Sequence, residues 1–131
     1  MNRPLRSVLA VVTGFLSVAL LSLATDQVLH VLEVYPPWGE AMWNPCLNLL
    51  ALSYRMIYAV VGGYLTAVLA PHSPMRHVVV VGILGLIAGT AGAVAAINMA
   101  DLGPKWYPIA LAISAFPTTW LGGVLYTSTR R

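Results

Sequence analysis

Residues 77–99 read HVVVVGILGLIAGTAGAVAAINM, without one Asp, Glu, Lys or Arg. A helix needs about 20 mainly apolar residues to cross a hydrocarbon core of about 30 Å, and this run meets that length. Three further segments meet it too: about Leu5 to Val34, about Leu47 to Ala70, and about Tyr107 to Thr127. The breaks between them carry turn residues: Pro36-Pro37 and Asn44-Pro45, then Pro71 and Pro74, then Gly103-Pro104. Pro117 falls inside the last segment and is expected to kink it, as membrane helices tolerate. The expectation is an all-α integral membrane bundle of four transmembrane helices, forming one domain over residues 1–131.

Composition points the same way. The chain is 59% hydrophobic and only 8% charged, whereas a soluble domain carries roughly 25% charged residues. So little charge cannot cover a surface against water, which leaves the lipid bilayer as the principal partner. The net charge of +3 is too small and too scattered to argue for nucleic acid. Cys46 stands alone, which excludes an internal disulfide, a CxxC redox pair and a multi-thiolate metal site. No metal or cofactor signature is expected.

The basic residues set an orientation. With the N-terminus inside, the cytoplasmic segments hold Arg3, Arg6, Arg76, Arg130 and Arg131, against Lys105 and Arg55 on or near the other side. The positive-inside rule then predicts an up-down-up-down, multi-pass protein of a plasma or inner membrane, with both termini cytoplasmic. Trp38, Trp43, Trp106, Tyr35 and Tyr107 gather at the outer boundary, where amphipathic rings settle at headgroup level. Arg3, Arg6, the apolar run from Val8 and Ser22-Leu23-Ala24 also fit a cleaved secretory leader. The helical pattern continues through Val28-Leu29 and Val31-Leu32, which favours a retained span.

Two groups of residues stand out. Gly82, Gly85, Gly89 and Gly92 step by three and four along the third span and so line one helix face. Small residues at such spacing let backbones approach; the stripe reads as ordinary packing inside the bundle, with a homo-oligomer seam as the alternative. Asp26, His30 and Glu33 are likewise spaced four and three apart and are expected on one face of the first helix. Arg55 lies within an otherwise apolar and aromatic span, where an arginine costs about 2.5 kcal/mol or more unless it snorkels or pairs. Asp26 or Glu33 is the expected acceptor. Asn48, Ser53, Tyr54, Tyr58, Asn98 and Asp101 lie at similar depth and are candidates to complete the network. His72, Arg76 and His77 read as a solvated turn on the cytoplasmic side.

Three functions fit these groups. A small oligomeric transport or channel-type protein would use the polar cluster as an outward-facing site, as intramembrane ionisable groups often do. A non-catalytic accessory or scaffold subunit of a larger membrane complex would use it as a structural ion pair. A membrane-embedded enzyme acting on a lipid or quinone would need it for acid-base work; the sequence leans away from an enzyme, since no nucleophile elbow, triad or HExxH motif is present.

Overall fold

In a computed structural model, which describes residues 2–37, 40–98 and 103–129, the chain forms four helices: α1 (Arg3–Val31), α2 (Pro45–Leu69), α3 (Pro74–Asn98) and α4 (Trp106–Thr129). Each is long and apolar enough to cross a membrane. Their starts follow from local chemistry. The Asn2 side chain accepts from the Leu5 amide at 2.9 Å, and the Asn44 side chain accepts from the Cys46 amide at 2.9 Å. Each cap is followed closely by a proline, which needs no donor in the first turn.

The first helix is three residues shorter than its hydropathy suggests. It ends at Val31, and Glu33 adopts φ 61°. The Glu33 amide donates to the His30 carbonyl at 3.1 Å and the Val34 amide to the Leu29 carbonyl at 2.9 Å. This pair of bonds is a Schellman cap, with glutamate where glycine is usual. Apolar residues continue past the stop at Leu32 and Val34, so hydropathy alone does not mark it. Glu33 therefore leaves the face that carries Asp26 and His30, which corrects the expectation of three residues on one helical stripe.

The bundle is built inside out relative to a water-soluble one. Many of its buried positions are small: Ala10, Ala51, Ala59, Ala67, Gly62, Gly63, Gly122 and Gly123, with Thr66 and Val78 the largest fully buried side chains. Its large aliphatics face outward, with Leu20 64%, Ile57 60%, Ile87 60% and Ile113 68% exposed. Such a surface is stable in hydrocarbon and not in water.

Close backbone approach explains the small residues. A methyl group on Gly63 would run into the Thr119 carbonyl of α4, one on Gly122 into the Val60 carbonyl of α2, and one on Gly14 into the Thr66 hydroxyl. The α3 stripe is looser. Gly82 faces the Phe116 ring, Gly85 meets Ala115 at 3.7 Å, Gly89 meets Ala112 at 3.0 Å, and Gly92 has nothing within 4 Å. Thus Gly82, Gly85 and Gly89 pack against α4 within the chain. The tightest crossings lie at the glycine pairs of α2 and α4. α1 packs on α2 and more sparsely on α3, and has no close backbone contact with α4 among the described residues.

α4 is assigned as one helix through Pro117. Hydroxyls occupy carbonyls around the proline: Ser114 donates to Leu111 O at 3.1 Å, Thr118 to Ser114 O at 2.7 Å and Thr119 to Ala115 O at 2.8 Å. Local hydroxyls of this kind help a membrane helix carry a proline.

Candidate functional site

Asp26 sits on the penultimate turn of α1, 6% exposed. Arg55 lies ten residues into α2, about 15 Å from its start. Antiparallel packing of α1 on α2 brings the two to one depth, and Arg55 Nη2 donates to Asp26 Oδ2. The Tyr54 hydroxyl donates to the other carboxylate oxygen, Oδ1. Neighbouring residues of one helix thus hold both oxygens of a single carboxylate. The network extends further. With its own proton given to Asp26, the Tyr54 oxygen accepts from the Tyr35 hydroxyl at 3.0 Å. This forms a chain from the loop after α1 to the carboxylate: Tyr35, Tyr54, Asp26, Arg55.

A second hydroxyl pair flanks the first. Thr25 donates to the Leu21 carbonyl at 2.8 Å, so its oxygen accepts from Tyr58 at 2.6 Å. The Tyr58 ring packs 5.8 Å from Tyr54. His30 Nδ1 lies 2.6 Å from the Asp26 backbone carbonyl, to which Nδ1–H donates, and the ring meets Tyr35 edge-on at 5.3 Å. Burial is the chief reason that the Tyr35 phenol is held above its ordinary pKa. These groups open on a cavity of about 210 Å³ lined by Asp26, His30, Tyr35, Glu40, Arg55 and Tyr107. A larger depression of about 690 Å³, lined by Gln27, His30, Glu33 and Leu47 among others, adjoins it across His30 and Tyr35.

The sequence-derived residues therefore separate. Asp26, His30 and Arg55 come together, joined by Tyr54. Glu33 lies on the loop and is exposed; it does not pair with Arg55, which bonds to Asp26. Asn98 is exposed and donates to Val94 O of its own helix at 2.9 Å, so it stands outside the network. Asp101 lies outside the described residues. Ser53 bonds back to Leu49 O at 2.7 Å. Asn48 is buried but serves the loop, donating to Met42 O at 3.0 Å and Asn44 O at 2.9 Å. The third connection meets that same loop, since a methyl on Gly103 would lie 2.7 Å from the Met42 carbonyl.

Two features escape a reading by spacing. Tyr35, placed by sequence at headgroup level, is 5% exposed; the loop after the Schellman cap folds it back onto α2. His77, placed by sequence in a solvated turn, is 7% exposed within α3. Its Nε2 bonds to Ser7 of α1 at 2.9 Å and its Nδ1 to Ser73 O at 3.1 Å, with the His72 ring 5.3 Å away. The helix simply starts earlier than His77, at Pro74.

Chemically, the carboxylate–guanidinium pair is close to neutral as a unit, and its tyrosines supply a short hydroxyl chain toward the loop. Each Asp26 oxygen accepts from one donor, and no group of three His, Cys, Asp or Glu suited to a metal occurs among the described residues. No protein-family model, curated protein or solved structure matches this chain.

Proposed function

We propose that the chain is a small oligomeric transport or channel-type protein of a cell membrane, with a polar site open to the outer side. In this reading the single domain runs up-down-up-down with both termini cytoplasmic, so that the Asp26–Arg55 end faces outward. The observation that carries the proposal is the placement of that ion pair within the spans, on a cavity that Asp26 and Arg55 line directly, with the Tyr35–Tyr54 hydroxyl chain beside it. An intramembrane carboxylate with a hydroxyl relay to an open cavity has the parts of a proton-coupled entry site. In the opposite half α2 and α4 meet backbone to backbone at Gly63 and Gly122, and Gly14 of α1 meets the Thr66 hydroxyl, so a full path calls for more than one copy.

A second reading, a non-catalytic accessory subunit of a larger membrane complex, draws on the same tight packing and on the short connections between helices. Reconstituted liposomes separate the two. The transport reading expects wild type to carry a pH-driven ion flux that Asp26→Asn abolishes while the protein stays folded. Absence of flux in folded wild type would reject it and leave the accessory reading.

A further inference from the structure

At the end of the bundle where α1 and α3 begin, a surface groove of about 350 Å³ runs between them. Its lining residues come from these two helices, which the His77–Ser7 hydrogen bond ties together there. The groove changes character with depth. Arg76 lies about 3 Å from the start of α3 and Val80 about 9 Å; on α1, Ser7 lies about 6 Å from the start and Val12 about 14 Å. The mouth therefore carries Arg76, His77 and Ser7, and the deeper walls are Val8, Val11, Val12 and Val80. Val8, Val12 and Val80 are exposed on helices apolar enough to span a membrane, so in a bilayer this groove faces acyl chains. The membrane itself supplies a chain to it. What the mouth decides is the headgroup.

The polar groups at the mouth differ in what they have left to offer. His77 Nδ1–H donates to Ser73 O at 3.1 Å, so Nε2 accepts from the Ser7 hydroxyl at 2.9 Å. Both imidazole nitrogens are thus used. The Ser7 oxygen can still accept, so headgroup hydroxyls are tolerated beside it. Arg76 is exposed, and its guanidinium makes no hydrogen bond or ion pair to the described residues. No acidic side chain stands near enough to serve it: residues 1–25, 41–100 and 102–131 contain no Asp or Glu, and Asp26 lies about 28 Å further along α1 than Ser7. Arg76 therefore takes its counter-charge from outside the chain. The N-termini of α1 and α3 both lie at this mouth, and their aligned peptide dipoles add to the attraction for an anion. A guanidinium matches the paired oxygens of a phosphate. An arginine alone at a membrane surface draws anionic lipids only loosely. The valine groove below Arg76 supplies the second half of a site, because one lipid molecule carries both a headgroup and a chain.

We propose that the groove between the starts of α1 and α3 binds an anionic phospholipid, with its phosphate against Arg76 and one acyl chain along Val8, Val11, Val12 and Val80. A zwitterionic lipid is a poorer match, because its added cation would meet Arg76 with no carboxylate at hand to receive it. The site stands at the end of α1 far from Asp26, so it is independent of the transport reading.

The test uses the full chain in phosphatidylcholine nanodiscs that contain a trace of spin-labelled phosphatidylglycerol or spin-labelled phosphatidylcholine. Electron spin resonance reads the fraction of each label held by the protein. Wild type is expected to prefer phosphatidylglycerol by about fivefold or more. Arg76→Gln is expected to remove that preference. Arg6→Gln takes the same charge from the same end at a residue that does not line the groove, and is expected to keep most of it. Val80→Phe narrows the groove with Arg76 in place, and is expected to lose most of it. Inorganic phosphate, added at constant ionic strength, is expected to change nothing. The absence of a preference in wild type would overturn the proposal. So would equal losses in Arg76→Gln and Arg6→Gln, which would reduce the effect to the diffuse positive field of that end. A preference that survives Val80→Phe would reject the groove as its seat. Displacement by inorganic phosphate would assign Arg76 to a free anion, and a change of oligomeric state in Val80→Phe without any wild-type preference would assign the groove to a second copy; either result rejects the lipid.

Discussion

The two ends of the bundle are joined by different kinds of contact. At the end carrying Tyr35 and Tyr107, helices are linked through side chains: Arg55 and Tyr54 of α2 reach Asp26 of α1, and Tyr35 and Tyr58 extend the web. At the other end, helices meet backbone to backbone, with Gly63 against Thr119, Gly122 against Val60 and Gly14 against Gly62. A polar web keeps helices far enough apart to leave cavities beside it. Glycine crossings leave none between the two backbones they join, although a depression of about 350 Å³ lined by Ser7, Val11, His77 and Val80 remains between α1 and α3. How near the helices come at each crossing thus follows from which residues mediate it. A lesser polar contact, His77 to Ser7, ties α3 to α1 at the glycine end.

The comparison can be broken first at the glycine end. Gly122→Leu would drive a side chain into the Val60 carbonyl and the Tyr64 amide. Overpacking costs typically 1–3 kcal/mol where neighbours can yield, and about that or more where backbone opposes it. The expected outcome is loss of the folded bundle, read as loss of a monodisperse peak in detergent. Gly92→Ala provides the contrast: nothing lies within 4 Å of its site, so the helix should gain up to about 1 kcal/mol from propensity.

At the polar end the effects are graded. Tyr35→Phe removes the buried hydroxyl that donates to Tyr54 and is expected to cost about 1 kcal/mol, measured by unfolding in SDS. A larger loss would mean that the loop after α1 depends on this bond as its main anchor. The smallest effect is expected at Glu33, where φ is 61°. Glu33→Gly relieves the left-handed conformation and should stabilise by about 1 kcal/mol or less. A loss instead would show that the Glu33 carboxylate has a role the cap geometry does not explain.

Much of this organisation is legible from residue order, and the reason is hydropathy. Four apolar runs separated by proline and glycine place four helices, with ends that differ from expectation by one to three residues. Arg55 could be singled out because an arginine inside a span demands an acceptor, and Asp26 lay at the right height. Glu33 was an equal candidate by spacing; what separates it is a backbone reversal at a non-glycine residue, which has no compositional mark. Tyr35 and His77 depart from expectation for a related reason. Both belong to polar or aromatic stretches near helix ends, where one turn of chain decides between surface and interior. The α3 glycine stripe is the more regular in spacing, yet the closest backbone approaches fall at Gly63 and Gly122. Regular spacing marks a face, and only the partner helix decides how near it comes.

The central claim is that Asp26 and Arg55 act as one unit holding α1 to α2 at the polar end. A double-mutant cycle with Asp26→Asn and Arg55→Leu, read by reversible unfolding, tests it most directly. Each single variant is expected to lose about 2–4 kcal/mol, because each leaves a charge unpaired in the spans, and the double variant to lose no more than either alone. Losses that simply add, with no coupling between the two positions, would contradict the account.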